Sequence, residues 1–275
     1  MQISTPPPDR LAARSSLPLA FAAGAAVGVL GGMIGLGGAE FRLPLLIMLF
    51  GFAALQAVIL NKALSLVVVL TALPARLTAV PLSALLPHWS AVANLLVGSL
   101  AGAWVGASWA TRMRTSTLYR VLAGLLILVA VALIGNHAGT LHHTHLPPAA
   151  VLIAGVIAGF FIGVVAAIMG VAGGELLIPT IMLLFGTDIK VAGSLSLAVS
   201  VPTMLVAFAR YSRDGSFTVL RRHARLTAVL AAGSITGTIV GGLLLGIIPT
   251  TVLVPFLALL LVFSSIKIWR HATTE

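Results

Sequence analysis

Two carboxylates stand apart from the other charges of this sequence. The chain has 275 residues and six Asp and Glu in all. Glu40 and Glu175 lie within apolar stretches, in GLGGAEFRLP and GVAGGELLIP, whereas the other acidic residues lie in or near loops. Burying an ionisable group in an apolar phase costs enough to make a functional role the default reading. In each segment glycines precede the Glu (Gly37 and Gly38, Gly173 and Gly174) and a proline follows it (Pro44, Pro179). Glycine permits close backbone approach and positive φ. A helix opening at the Glu presents unpaired N–H groups and the positive end of its dipole, which suits an anion. The prolines are expected within about the first helical turn, where a missing N–H costs least. A Glu at such a start can also take up and release a proton, so Glu40 and Glu175 are proton-coupling candidates. The structural alternative is that both simply cap helix ends.

Cations and hydroxyls near these segments extend the set. Lys62 sits in VILNKALSL with Asn61 and Ser65 on the same predicted helix. A buried Lys62 can pair with an anion, or its ammonium can snorkel to the interface or bridge to Glu40. Arg42 follows Glu40 closely and can hold an oxyanion bidentately. Ser194, Ser196 and Ser200 occupy a comparable helix further along. They can donate to a ligand or bond their own helix backbone. The loop HHTH, with His142, His143 and His145, lacks the carboxylate, Cys or second cluster that a metal site needs, and reads as a solvated linker. GLGG is not followed by Gly-Lys-Ser/Thr, so no nucleotide loop is present. No intramembrane Asp pair, HExxH or Gly-x-Ser-x-Gly argues for hydrolysis. No cofactor or metal is implied.

The elements that hold these residues are set by composition. Hydrophobic residues make up 59% of the chain and charged ones 8%, against about 25% charged in ordinary soluble proteins. Leu17–Met33, Ala91–Ala110, Leu118–Gly135, Ala149–Met169, Val191–Ala209, Leu226–Leu245 and Val252–Ile266 approach the roughly 20 apolar residues that span a bilayer as a helix. Backbone groups in lipid must be satisfied within the segment, and no alternation of a barrel is visible, so an all-α polytopic membrane protein is expected. The net charge of +10 lies in loops between apolar runs. That is the pattern of topology signals and not of a nucleic-acid surface. Arg10 and Arg14 before the first run resemble a signal peptide, but the repeat described next includes that first helix.

A shift of 135 positions superposes GMIGLGGAEFRLPLLIMLFG on AIMGVAGGELLIPTIMLLFG. It pairs Gly24 with Gly159, Gly38 with Gly173, Glu40 with Glu175, Pro44 with Pro179 and Ser65 with Ser200. Farther on it pairs Gly98, Gly102 and Gly106 with Gly233, Gly237 and Gly241, small-residue faces suited to helix packing. Each half therefore reads as a first helix, a glycine break, a short helix of about ten residues and three long helices. About ten residues cover only half a bilayer, so the short helix is expected to form a re-entrant or broken hairpin with the first. Loop charges then set orientation. The 75–89 connection carries Arg76 alone, its counterpart at 210–225 five arginines, and the bias reverses in the next pair of loops. Opposite bias in equivalent loops implies inverted-topology repeats. The expected organisation is a cytoplasmic tail (1–16), repeat 1 (17–136), an external His-rich linker (137–148), repeat 2 (149–270) and a cytoplasmic C-terminal tail (271–275). The glycine faces leave a homo-oligomer open.

GMIGLGGAEFRLP and AIMGVAGGELLIP, each followed by a Phe-Gly turn and a Ser-containing helix, resemble the signature repeats of the TauE/SafE sulfite exporter family. The resemblance runs from about residue 18 to 268. It implies a carrier in a bacterial or archaeal inner membrane that exports sulfite, sulfoacetate or related small sulfur anions, by ion-linked secondary transport. Matched by motif, Glu40, Asn61, Lys62, Glu175 and the nearby serines would surround the substrate. A channel or passive pore is the alternative, and an intramembrane enzyme a more distant one.

Overall fold

The computed structural model describes residues 16–34, 38–80, 82–137, 147–213, 218–243 and 250–271. Gly37, the linker histidines and most of both tails lie outside the described residues. All regular structure among those residues is helical: α1 (Leu17–Ile34), α2 (Ala39–Met48), α3 (Ala54–Ala79), α4 (Leu82–Leu85), a 3-10 turn (Leu86–His88), α5 (Trp89–Arg112), α6 (Thr115–His137), α7 (Pro148–Met169), α8 (Gly174–Phe185), α9 (Ile189–Ser212), α10 (Thr218–Arg222), α11 (Ala224–Leu243) and α12 (Thr250–His271). Helices α2, α3, α5 and α6 each begin 135 positions before α8, α9, α11 and α12.

Six stretches, in α3, the α4–α5 region, α6, α7, α9 and α11, are long and apolar enough to cross a membrane. Large apolar side chains cover the outside, among them Val97, Val131, Ile153, Phe161, Ile239 and Phe263. Water would penalise that surface and lipid does not.

The halves are interleaved. Helix α1 packs along α11 and α7 along α5, with α6 on α12 and α3 on α9. Glycine makes the first two crossings possible. A Cβ added at Gly98, Gly102 or Gly106 of α5 would strike the α7 carbonyls of Val156, Phe160 or Val164. One added at Gly233, Gly237 or Gly241 of α11 would strike those of Phe21, Ala25 or Val29 in α1. Helix backbones thus touch directly, a source of van der Waals attraction where lipid supplies little hydrophobic drive.

The order of contacts gives chain direction. Residue numbers rise together along α5 and α7 at those crossings. They also rise together along α5 and α9, where Ser99 meets Thr203 Oγ1 at 2.8 Å and Ser108 accepts from Arg210 Nε at 2.7 Å. Helices α5, α7 and α9 therefore run the same way. A chain that runs down α7 and down again through α9 must be carried back between them, and α8 does this. The α7–α8 pair is thus a hairpin. Nothing in this order conflicts with the opposite orientation of the repeats expected from the loop charges.

Candidate functional site

Each short helix begins at a glycine in the left-handed region: Gly38 at φ 67° before α2, Gly173 at φ 82° before α8. The first amides fold back onto that glycine, Phe41 and Arg42 N–H to Gly38 O, Leu176 and Leu177 N–H to Gly173 O. Pro44 and Pro179 stand one turn later than expected, at the sixth position of their helices. There each lacks the N–H that would bond the carbonyl four residues back, which belongs to Glu40 or Glu175. The prolines therefore leave the first turn intact and interrupt its link to the second.

Both tips are interior. Glu40 is 2% exposed and Glu175 7%. The two carboxyls are close enough to act on each other electrostatically. The two positive helix ends thus converge on a pair of carboxyls, one from each half. Arg42, also buried, is close enough to Glu40 to act on it electrostatically. Oε2 of Glu40 and Oδ1 of Asn61 are buried and receive no hydrogen bond from the described residues.

The second glycine break carries a dense set of tethers. Helix α7 ends at Gly170 (φ 70°) in a Schellman-type turn, with Val171 N–H on Ala166 O and Gly170 N–H on Ala167 O. Side chains from other helices add donors to these carbonyls and to those that follow. Lys62 Nζ donates to Ala166 O (2.7 Å) and Val171 O (3.0 Å), and Asn61 Nδ2 to Met169 O (3.2 Å) and Ala39 O (3.0 Å). Ser65 Oγ donates to Gly170 O (3.3 Å), Ser200 Oγ to Ala172 O (2.8 Å), and Tyr211 Oη to Ala167 O (3.0 Å). An ammonium at the negative end of the α7 dipole is electrostatically favourable.

The sequence-predicted residues therefore separate into groups. Glu40 and Glu175 meet, with Arg42 beside the first. Asn61 joins both tips, from Ala39 to Met169. Lys62, Ser65 and Ser200 converge on the second break. Lys62 neither snorkels nor lies at the surface: it is fully buried against backbone carbonyls. Ser194 and Ser196 bond the carbonyls of Lys190 and Gly193 in their own helix, the alternative open to helical serines. Tyr211 escaped the sequence reading. Its repeat partner is Arg76, so the duplication gave no signal for it. A tyrosine at the basic end of an apolar run, whose hydroxyl needs a partner once buried, was the available clue.

Among the described residues no group of three or more His, Asp or Glu is placed to hold a metal ion. No curated protein and no solved structure matches the chain. The family description "Sulfite exporter TauE/SafE" matches residues 3–133 and 136–274, the two halves in turn. A helical membrane protein built from these duplicated Gly–Glu–Pro hairpins is thus a member of the TauE/SafE sulfite exporter family.

Proposed function

We propose that this protein is a secondary transporter that exports a small sulfur oxyanion or organosulfonate, such as sulfite or sulfoacetate, across a bacterial or archaeal inner membrane. Both termini are assigned to the cytoplasm, following the basic loops. The observation that carries the reading is the convergence of two half-helix starts, one from each repeat, on the buried pair Glu40 and Glu175. Inverted repeats with discontinuous helices hold substrate and coupling ion at such meeting points. Family membership supplies the solute class.

In this reading Arg42 and the helix starts attract the anion, while Asn61, Lys62, Ser65 and Ser200 line its path. An ammonium has three donors, and two of those on Lys62 are engaged. The third is available to the anion. Glu40 and Glu175 couple its movement to protons. Ser194 and Ser196 contribute only if they give up their bonds to the helix backbone.

The test is uptake of labelled sulfite and sulfoacetate into proteoliposomes, with and without an inward proton gradient, for wild type and Lys62→Ala. Saturable, gradient-sensitive flux with counterflow of label is the expected result. Conductance without counterflow would indicate a pore instead. Flux unaltered in Lys62→Ala would confine the anion to the helix starts at Glu40 and Glu175.

A further inference from the structure

We propose that the break between α7 and α8 is a binding site for a monovalent cation of ammonium size, and that its occupant is the protein's own Lys62. The site stands on its geometry alone, while its consequence for coupling rests on the transporter reading.

Four successive carbonyls of the break, those of Met169, Gly170, Val171 and Ala172, each take a donor from a side chain of another helix. Asn61, Ser65 and Ser200 are neutral and reach one carbonyl of the break apiece. Lys62 spans two, Ala166 O in the last turn of α7 at 2.7 Å and Val171 O beyond it at 3.0 Å. In a continuous helix, carbonyls five residues apart point the same way and lie about 7.5 Å apart along the axis. The left-handed turn at Gly170 brings them onto one point instead. A Cβ at Gly170 would strike Val58 O of α3, so the α3 backbone seats directly on the turn and delivers Lys62 to it.

The point where these oxygens converge favours positive charge. It lies at the negative end of the α7 dipole, and the Lys62 side chain that fills it is fully buried. Both contacts of the ammonium among the described residues are backbone oxygens. Carbonyls arranged in this way replace the hydration shell of a cation, and the distances are those of charge-assisted hydrogen bonds. The repeat partner of Lys62 is Leu197, so the duplication carries this charge in one half only.

In carriers with broken helices, half-helix C-terminal ends and unwound carbonyls hold a coupling ion. Here the place is filled by a charge fixed to a side chain. The anion therefore meets a counter-charge that stays with the protein, and an ion that travels with the anion binds elsewhere.

The test removes the tether and supplies the ion. Lys62→Ala in detergent, with choline as the only added cation, should melt well below wild type. Titration with ammonium or potassium chloride should raise its melting temperature saturably and recover about half of the loss or more. Wild type should not respond over the same range. Potassium donates no hydrogen bond, so its effect reads the carbonyls as ligands. Recovery by neither cation, an equal response of wild type, or equal recovery by neutral acetamide would overturn the site. Lys62→Gln guards against an alanine variant that does not fold, because it fills the space and keeps a donor without the charge. It should melt below wild type and ignore both cations, and a glutamine variant as stable as wild type would overturn the need for a cation. None of these readings involves a solute. A wild type that moves no sulfite counts against the proposed function and leaves the cation site standing, and a missing cation response does the reverse.

Discussion

The two short helices start and end on equivalent glycines and differ, among the described residues, in the side chains that meet them. Gly38 rests against Val27 and Gly31 of α1, and Gly173 against Ile162 and Ala166 of α7, the same positions one repeat apart. The turns after the short helices agree as well, with Gly51 at φ 71° and Gly186 at φ 63°. The donors do not agree. Asn61, Lys62 and Ser65 of α3 reach across to the break after α7, but their repeat partners on α9 are Ser196, Leu197 and Ser200. Ser196 turns to its own helix, Leu197 has no donor, and Ser200 bonds Ala172 in the second break again. Duplication preserved what backbone packing dictates and let the side-chain chemistry diverge. The second tip is consequently tied down by a cation, an amide and three hydroxyls.

That contrast can be tested from its symmetric part to its asymmetric one. Gly102→Leu and Gly237→Leu should be the most damaging and nearly equal. Each drives a side chain into a backbone carbonyl across equivalent crossings, and overpacking of this kind costs about 3 kcal/mol or more. Yield and melting temperature in detergent would show it, and a large inequality would mean that the crossings are not equivalent.

Lys62→Met comes next, with a loss of about 2–3 kcal/mol, because charge-assisted bonds to two buried carbonyls disappear. Adding Leu197→Lys should not recover that loss, since Leu197 packs in an apolar cluster with Val69, Ala172 and Met204. Recovery would show that the cation is interchangeable between halves.

Ser200→Ala and Tyr211→Phe each remove one neutral hydrogen bond to the second break, worth about 1 kcal/mol. Both should lower the melting temperature alike. Ser196→Ala should be smallest, within about 0.5 kcal/mol, because its hydroxyl serves only its own helix. A larger effect than that of Ser200→Ala would reverse the assignment of donors to tips.

Much of the frame was legible in the sequence because it rests on local rules. Glycine before Glu, a ten-residue apolar run and a second glycine specify a short capped helix, and α2 is Ala39–Met48. The 135-residue shift carried the helix order from one half to the other. The placement of Pro44 within its helix was less legible, since the helix starts at Ala39, directly after Gly38. The site was legible in membership more than in arrangement. A lysine flanked by apolar residues announces burial, but whether its ammonium meets an anion, a carboxylate or a carbonyl depends on which helix lies opposite. Ala166 is more than a hundred positions from Lys62, and no periodicity links them. The meeting of Glu40 with Glu175 likewise requires the two halves to be interleaved, which neither segment states alone.

The interleaving of α1 with α11 also bears on how the protein is made. Helix α1 is the first described segment to leave the ribosome, and its glycine-lined partner face, at Gly233, Gly237 and Gly241, is synthesised only after some two hundred further residues. Until then Gly24 and Gly28 have lipid for a neighbour and no helix to touch. Assembly of the first half is therefore provisional, and the closing act of biogenesis is the docking of one of the latest helices onto one of the earliest. Separately expressed halves should reconstitute the protein only when both are inserted in the same membrane, each supplying the surface the other lacks.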